Sequence, residues 1–213
     1  MDKQLEHTGN KKDGRDRYLA DSVIRSQAFQ NAELLLLETS NEFKNTDKTK
    51  KYFNHHKERL RCLSMLNYIA DKHKYPKLSI FLKLKVFFAH AAGYSLNIWT
   101  LKFRYNNEKN EGFFEMYKEK KLKLFERYED KEDMLPKLMK FSWALRSMLE
   151  ESIGVLNEVE ESYVSRRKGV GYLKVASALM NELVDSSIIK LTQKRHSKSM
   201  AKEDPFSSSE DSS

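Results

Sequence analysis

Cysteine occurs once, at Cys62. No disulfide can close within the chain, so a small secreted scaffold held by cross-links is excluded. With 7 Gly and 3 Pro in 213 residues, tight turns are few, which argues against a turn-rich β sandwich. Long uncharged apolar runs are missing too. The most apolar stretch, residues 78 to 105, is broken by Lys83, Lys85, His90, Lys102 and Arg104, a charge density that a bilayer would penalise heavily. The first nineteen residues have no apolar core of the kind a signal peptide needs. These absences predict an intracellular chain, cytoplasmic or nuclear, neither secreted nor transmembrane.

Catalytic and cofactor motifs are equally scarce. The histidines His55 and His56 stand near Cys62, but on a helix His55 and Cys62 would be about 10 Å apart along the axis. Zinc gathers its ligands within about 2.3 Å of one centre, so these three residues alone cannot hold it. There is no G-x-S-x-G elbow, no H-E-x-x-H pair and no G-x-x-x-x-G-K-[ST] loop. Residues 162 to 174, SYVSRRKGVGYLK, carry cations and two glycines without the P-loop order. They read as a helix ending in Arg166, Arg167 and Lys168, with Gly169 as the residue that stops it. No catalytic residue, metal, cofactor or small-molecule substrate is implied, and the expectation is a non-enzyme.

What the chain does contain is 39% hydrophobic residues, 11% aromatic and 33% charged, enough apolar matter for one sizeable domain. Helical spacing predicts an all-α bundle of about six helices in residues 18–196, compact or elongated, between polar tails at 1–17 and 197–213. The segments expected are 18–43, carrying four leucines at 34–37; one after Asp47 ending before Pro76; 76–107; 112–130; 133–168; and 172–194. The third is ambiguous. Leu78, Ile80, Leu82, Leu84 and Val86 alternate with Ser79, Phe81, Lys83 and Lys85, and Leu101, Phe103 and Tyr105 alternate with Lys102 and Arg104, so a β-hairpin over 78–105 is the alternative. The fifth has the clearest period. With Ser152 and Ser162 counted, Leu138, Phe141, Leu145, Met148, Val155 and Val159 recur three or four residues apart, a heptad-like seam that the two serines weaken, suited to protein interaction or to self-association through 133–168.

Charge is unevenly spread over a net +8. Residues 44–85 hold twelve Lys or Arg against three acids, whereas 150–161 hold five Glu and no cation. Lys50, Lys51, Lys57, Arg59 and Arg61 form a candidate anion-binding patch for nucleic acid or acidic lipid. The alternative is that basic and acidic segments attract each other within the domain. In the tail, Ser207 and Ser208 each precede an acid by three residues, a pattern resembling acid-directed casein kinase substrates, and phosphorylation there would add negative charge. The tripeptide at 204–206 resembles the peptides bound by clathrin-adaptor appendages. The leading expectation is a non-enzymatic subunit or adaptor of an intracellular assembly whose partners are other protein subunits. An anion-binding module is the second.

Overall fold

A computed structural model describes residues 20–40, 48–173 and 179–184. It overturns the all-α expectation. Five strands form one mixed sheet in chain order, β1 Ser22–Ser26, β2 Ala32–Ser40, β3 Lys85–Ala92, β4 Ser95–Asn106 and β5 Glu111–Lys123. Helix α1, Lys48–Lys72, connects β2 to β3, which run parallel, and every other neighbouring pair is antiparallel. A short α2, Leu78–Phe81, precedes β3. The long α3, Lys131–Leu173, follows the sheet, and a single turn, α4, Met180–Leu183, comes last.

The errors have physical causes. The leucines at 34–37 look like a dense helical patch because β2 is covered on both faces. Leu34 and Leu36 face α1, while Leu35 joins the opposite cluster with Phe87, Ala89 and Ile98. A strand buried on both sides loses its alternation and reads as a continuous apolar run. Residues 78–105 fold largely as the hairpin alternative, with β3 and β4 turning through Gly93 at φ 57°, a left-handed value that glycine takes without strain. Residues 112–130, expected as a helix, supply β5. It is an edge strand, and its Lys118, Glu119, Lys120, Lys121 and Lys123 give it the charge that keeps edges from pairing with other chains.

Turn chemistry explains the remaining connections. Asn106 accepts hydrogen bonds on its side chain from the backbone N–H groups of Glu108 and Lys109, and Asn110 takes φ 54°, so the asparagines close the β4–β5 turn. At the β1–β2 turn, Gln30 and Asn31 are both left-handed.

Helix α1 lies on one sheet face, where Cys62, Met65, Leu66 and Ile69 meet Leu34, Leu36, Val86 and Phe88. Phe81, Phe87, Phe88 and Phe103 are fully buried, each contributing roughly 1.5–3 kcal/mol. Helix α3 begins against the other face through Phe141, Leu145 and Met148. Farther along, Val155, Leu156 and Val159 join the α1 side of the core. It continues through Gly169 and Gly171 to Leu173, so the glycines expected to stop a helix are inside one. The tails at 1–17 and 197–213, with Ser207 and Ser208, lie outside the described residues, as do most of 172–194. No described helix is long and apolar enough to cross a membrane.

Candidate interaction surface

Helix α3 has 43 residues, about 64 Å at 1.5 Å per residue. Its inward line holds the residues of the expected seam. Phe141 is buried, Leu145 and Met148 pack against the sheet cluster, and Val155 and Val159 are core. Leu138 is on the border, partly exposed. The spacing that suggested a second chain is therefore satisfied by the protein's own sheet and by the core beside α1.

A second apolar line, which the sequence reading missed, runs along the opposite side. Leu135 is 58% exposed, Met139 54% and Trp143 62%. Residues four apart stand above one another on a helix, so the three form a continuous strip facing away from the sheet. Arg146 continues it, its guanidinium 5.3 Å from the Trp143 ring centre, and bonds to Glu150 at 2.8 Å. Farther on, Gly154, Asn157, Glu161 and Val164 are exposed at three- and four-residue steps. A Cβ built on Gly154 meets nothing within 4 Å, so the surface there is open. The signal was present in the sequence, since Leu135, Met139 and Trp143 are spaced as regularly as the inward seam. A helix apolar on two opposite sides is ordinarily covered on both.

Two of the five residues of the candidate anion patch, Lys57 and Arg61, are engaged within the domain. Lys57 donates to Glu38 at 2.9 Å, and Arg61 donates to Glu38 at 3.2 Å and also to Glu58, one turn away. All four groups are buried or nearly so between α1 and β2. Burial pushes the Glu58 carboxyl up to about 7, and Glu38 adds to this, while Arg61 and Lys57 oppose it. Arg59 is exposed, and the side chains of Lys50 and Lys51 lie outside the described residues. The basic and acidic segments instead meet each other. Lys83 reaches Glu158 at 3.2 Å, Lys85 reaches Glu151 at 2.9 Å, and His73 Nδ1 lies 2.9 Å from Glu160, off the line of a hydrogen bond. Desolvation lowers the His73 pKa against the pull of Glu160, and Lys72 lowers it further.

Beside this quartet, Ser40 and His90 are in contact, Oγ to Nε2 at 2.6 Å. Both are buried, and the His55 ring centre lies 4.6 Å from that of Trp99, tilted by 57°, and 6.5 Å from that of His90. Nothing in this geometry opens the Ser40 hydroxyl to a substrate. Cys62 is buried and its thiol pKa is raised, chiefly by desolvation, which makes it unreactive. Among the described residues no group of three or more His, Cys, Asp or Glu is placed to hold a metal ion. A cleft of about 70 Å³ beside the β1–β2 turn, lined by Phe29, Tyr68, His73 and Glu160, has room for a few waters and is far below the volume of a drug-sized ligand pocket.

No protein-family model, curated protein or solved structure matches the chain.

Proposed function

We propose that this protein is a non-enzymatic interaction subunit of a larger assembly and that the outward face of α3 is its docking surface. The observation that carries the reading is the strip of Leu135, Met139 and Trp143, held in line and facing solvent on a helix whose other side is anchored in the core. Rigid tryptophan and methionine side chains are the types that interfaces concentrate, and anchoring on a packed helix removes much of the ordering entropy of docking. The polar clusters elsewhere are internally paired, which fits structural roles better than chemistry. Replacing Leu135, Met139 and Trp143 together with glutamate tests the reading. In cell extract the wild-type chain should migrate in a complex larger than its own 25.1 kDa, and the variant should leave it while keeping its circular dichroism. A variant that stays in a complex of unchanged size removes this surface from the account.

An anionic partner is the second reading, moved from the 44–85 segment to the uncovered part of the sheet. There Lys102 and Arg104 share a face with the exposed rings of Phe113 and Tyr117, and the Lys102 amine stands 5.5 Å over the Tyr117 ring. Desolvation lowers the Lys102 pKa, with Lys85 and Arg104 adding to the effect and Glu119 and Glu151 opposing it. Arg104 is already bonded to Glu115 on the same face at 2.6 Å, so Lys102 is the cation an anion would meet. Titration with a single-stranded oligonucleotide and with anionic vesicles across a salt series tests it. Absence of binding at low salt ends it.

A further inference from the structure

We infer that the outward face of α3 pairs antiparallel with the same face of a second copy of this chain. The inference rests on the docking reading above and names its occupant. Its basis is the order of charge along α3, combined with which residues the fold leaves outside.

The helix divides into four blocks of alternating sign. Around its start stand Glu129, Asp130, Glu132 and Asp133 with Lys131 among them, a block of net negative charge. Residues 134–149 hold Lys137, Lys140 and Arg146 and no acid, 150–161 hold five Glu and no cation, and 166–168 are all basic. Within the domain, Glu151 and Glu158 of the acidic block pair with Lys85 and Lys83, and Glu160 lies against His73. The outward line keeps the same order through Glu132, then Lys140 and Arg146, then Glu150 and Glu161, then Arg167. A sequence of minus, plus, minus, plus is antisymmetric about its midpoint. Two such helices running in the same direction in register would set like charges against like, which is unfavourable. Run in opposite directions about a two-fold axis near residue 149–150, every block faces its opposite. A closed two-fold pairing of one patch with itself is the commonest form of homo-oligomer.

The same axis also matches shape and polarity on the exposed line. Leu135 comes opposite Val164 of the second copy, both exposed apolar side chains. Glu132 comes opposite Arg167, both exposed. Trp143 lies over the stretch from Gly154 to Asn157, where the missing side chain at Gly154 leaves space for an indole. Lys140 comes beside Glu161. Near the axis, Arg146 and Glu150, which bond within one helix at 2.8 Å, can exchange partners with their counterparts at little cost. Among the described residues the sheet edges are weaker candidates, because β5 carries Lys118, Glu119, Lys120, Lys121 and Lys123 in its second half and β1 has only five residues.

Sedimentation of the purified full chain over a concentration series, joined to cysteine cross-linking, tests the pairing. Cys62 is buried, so a cysteine introduced on α3 is the reactive one. Glu150→Cys, close to the axis, should cross-link to itself with a short bis-maleimide. Leu135→Cys should not, since its two copies would stand about 43 Å apart, but mixed with Val164→Cys it should give the heterologous product. Arg146→Glu should weaken the dimer by about tenfold or more, and adding Glu150→Arg to it should restore the dimer. Self-cross-linking of Leu135→Cys would overturn the antiparallel order. A purified chain that sediments at 25.1 kDa throughout would overturn self-pairing altogether. That last result leaves the docking reading standing on a different partner, since the docking reading is lost only if the glutamate triple variant keeps its native complex.

Discussion

Phe141 and Trp143 are two residues apart on α3 and face opposite ways, Phe141 8% exposed in the sheet cluster and Trp143 62% exposed to solvent. One anchors the helix to its own sheet, and the other is left for something else. The two should separate cleanly on mutation. Phe141→Ala should cost about 3 kcal/mol or more, read as a lower denaturant midpoint. Trp143→Ala should leave the monomer's stability within about 0.5 kcal/mol. Equal losses from the two substitutions would mean that Trp143 is packed within the monomer.

The quartet of Glu38, Lys57, Glu58 and Arg61 joins α1 to β2. Removing one member strands its partners without water. Glu38→Ala should therefore destabilise by about 3–5 kcal/mol, while replacing all four with apolar residues of similar volume should recover most of that loss. Denaturant unfolding of the two variants decides this. A mild effect from Glu38→Ala would show that the cluster is hydrated.

Glu58 titrates at about 7 in the folded chain against an ordinary 4.5. Between these values the folded state holds a proton that the unfolded state has released. Its contribution is fully present below pH 4.5 and is lost as pH rises through 7. Glu58→Gln should flatten that slope. His73 acts in the opposite direction. Its lowered pKa favours the neutral ring, so its contribution is present above its ordinary 6.5 and is lost as pH falls below it. Unfolding free energies of Glu58→Gln and of His73→Gln from pH 4 to 8 separate the two. A Glu58→Gln profile parallel to wild type would contradict the first assignment.

Gly112 on β5 is a close-approach position. A Cβ there would stand 2.5 Å from the Phe103 ring and 2.8 Å from the Leu183 carbonyl oxygen. Gly112→Ala should cost about 1–3 kcal/mol through strain, while Gly154→Ala, with open space around it, should stabilise the monomer by a few tenths to about 1 kcal/mol. Thermal melts of the two alanine variants check the contrast.

How much was legible follows from burial geometry. Helix α1 and most of α3 show in the sequence because each has one dominant apolar stripe on a polar helix. Strands β2 and β3 do not, since side chains such as Leu35 and Phe87 on one face and Leu36 and Phe88 on the other are all buried. The alternation that marks a strand is then erased. In β5 the alternation is overwritten by the edge charges of residues 118–123. Of the seam residues, all but Leu138 pack inward against the protein's own sheet and core; periodicity reports that a face is covered and not by what. The Leu135, Met139 and Trp143 strip was legible by the same rule, hidden only by the stronger seam beside it. Lys57 and Arg61 could not be told from surface cations, since their acidic partner Glu38 comes from another element.

The most direct measurement is the fluorescence of Trp143 in a Trp99→Phe background, followed as the purified chain is concentrated. Self-pairing predicts an emission that starts as that of a solvated indole and moves to the blue as the dimer fills, with the midpoint shifted to higher concentration by Arg146→Glu. An emission that stays at its solvated position across the whole series would contradict it.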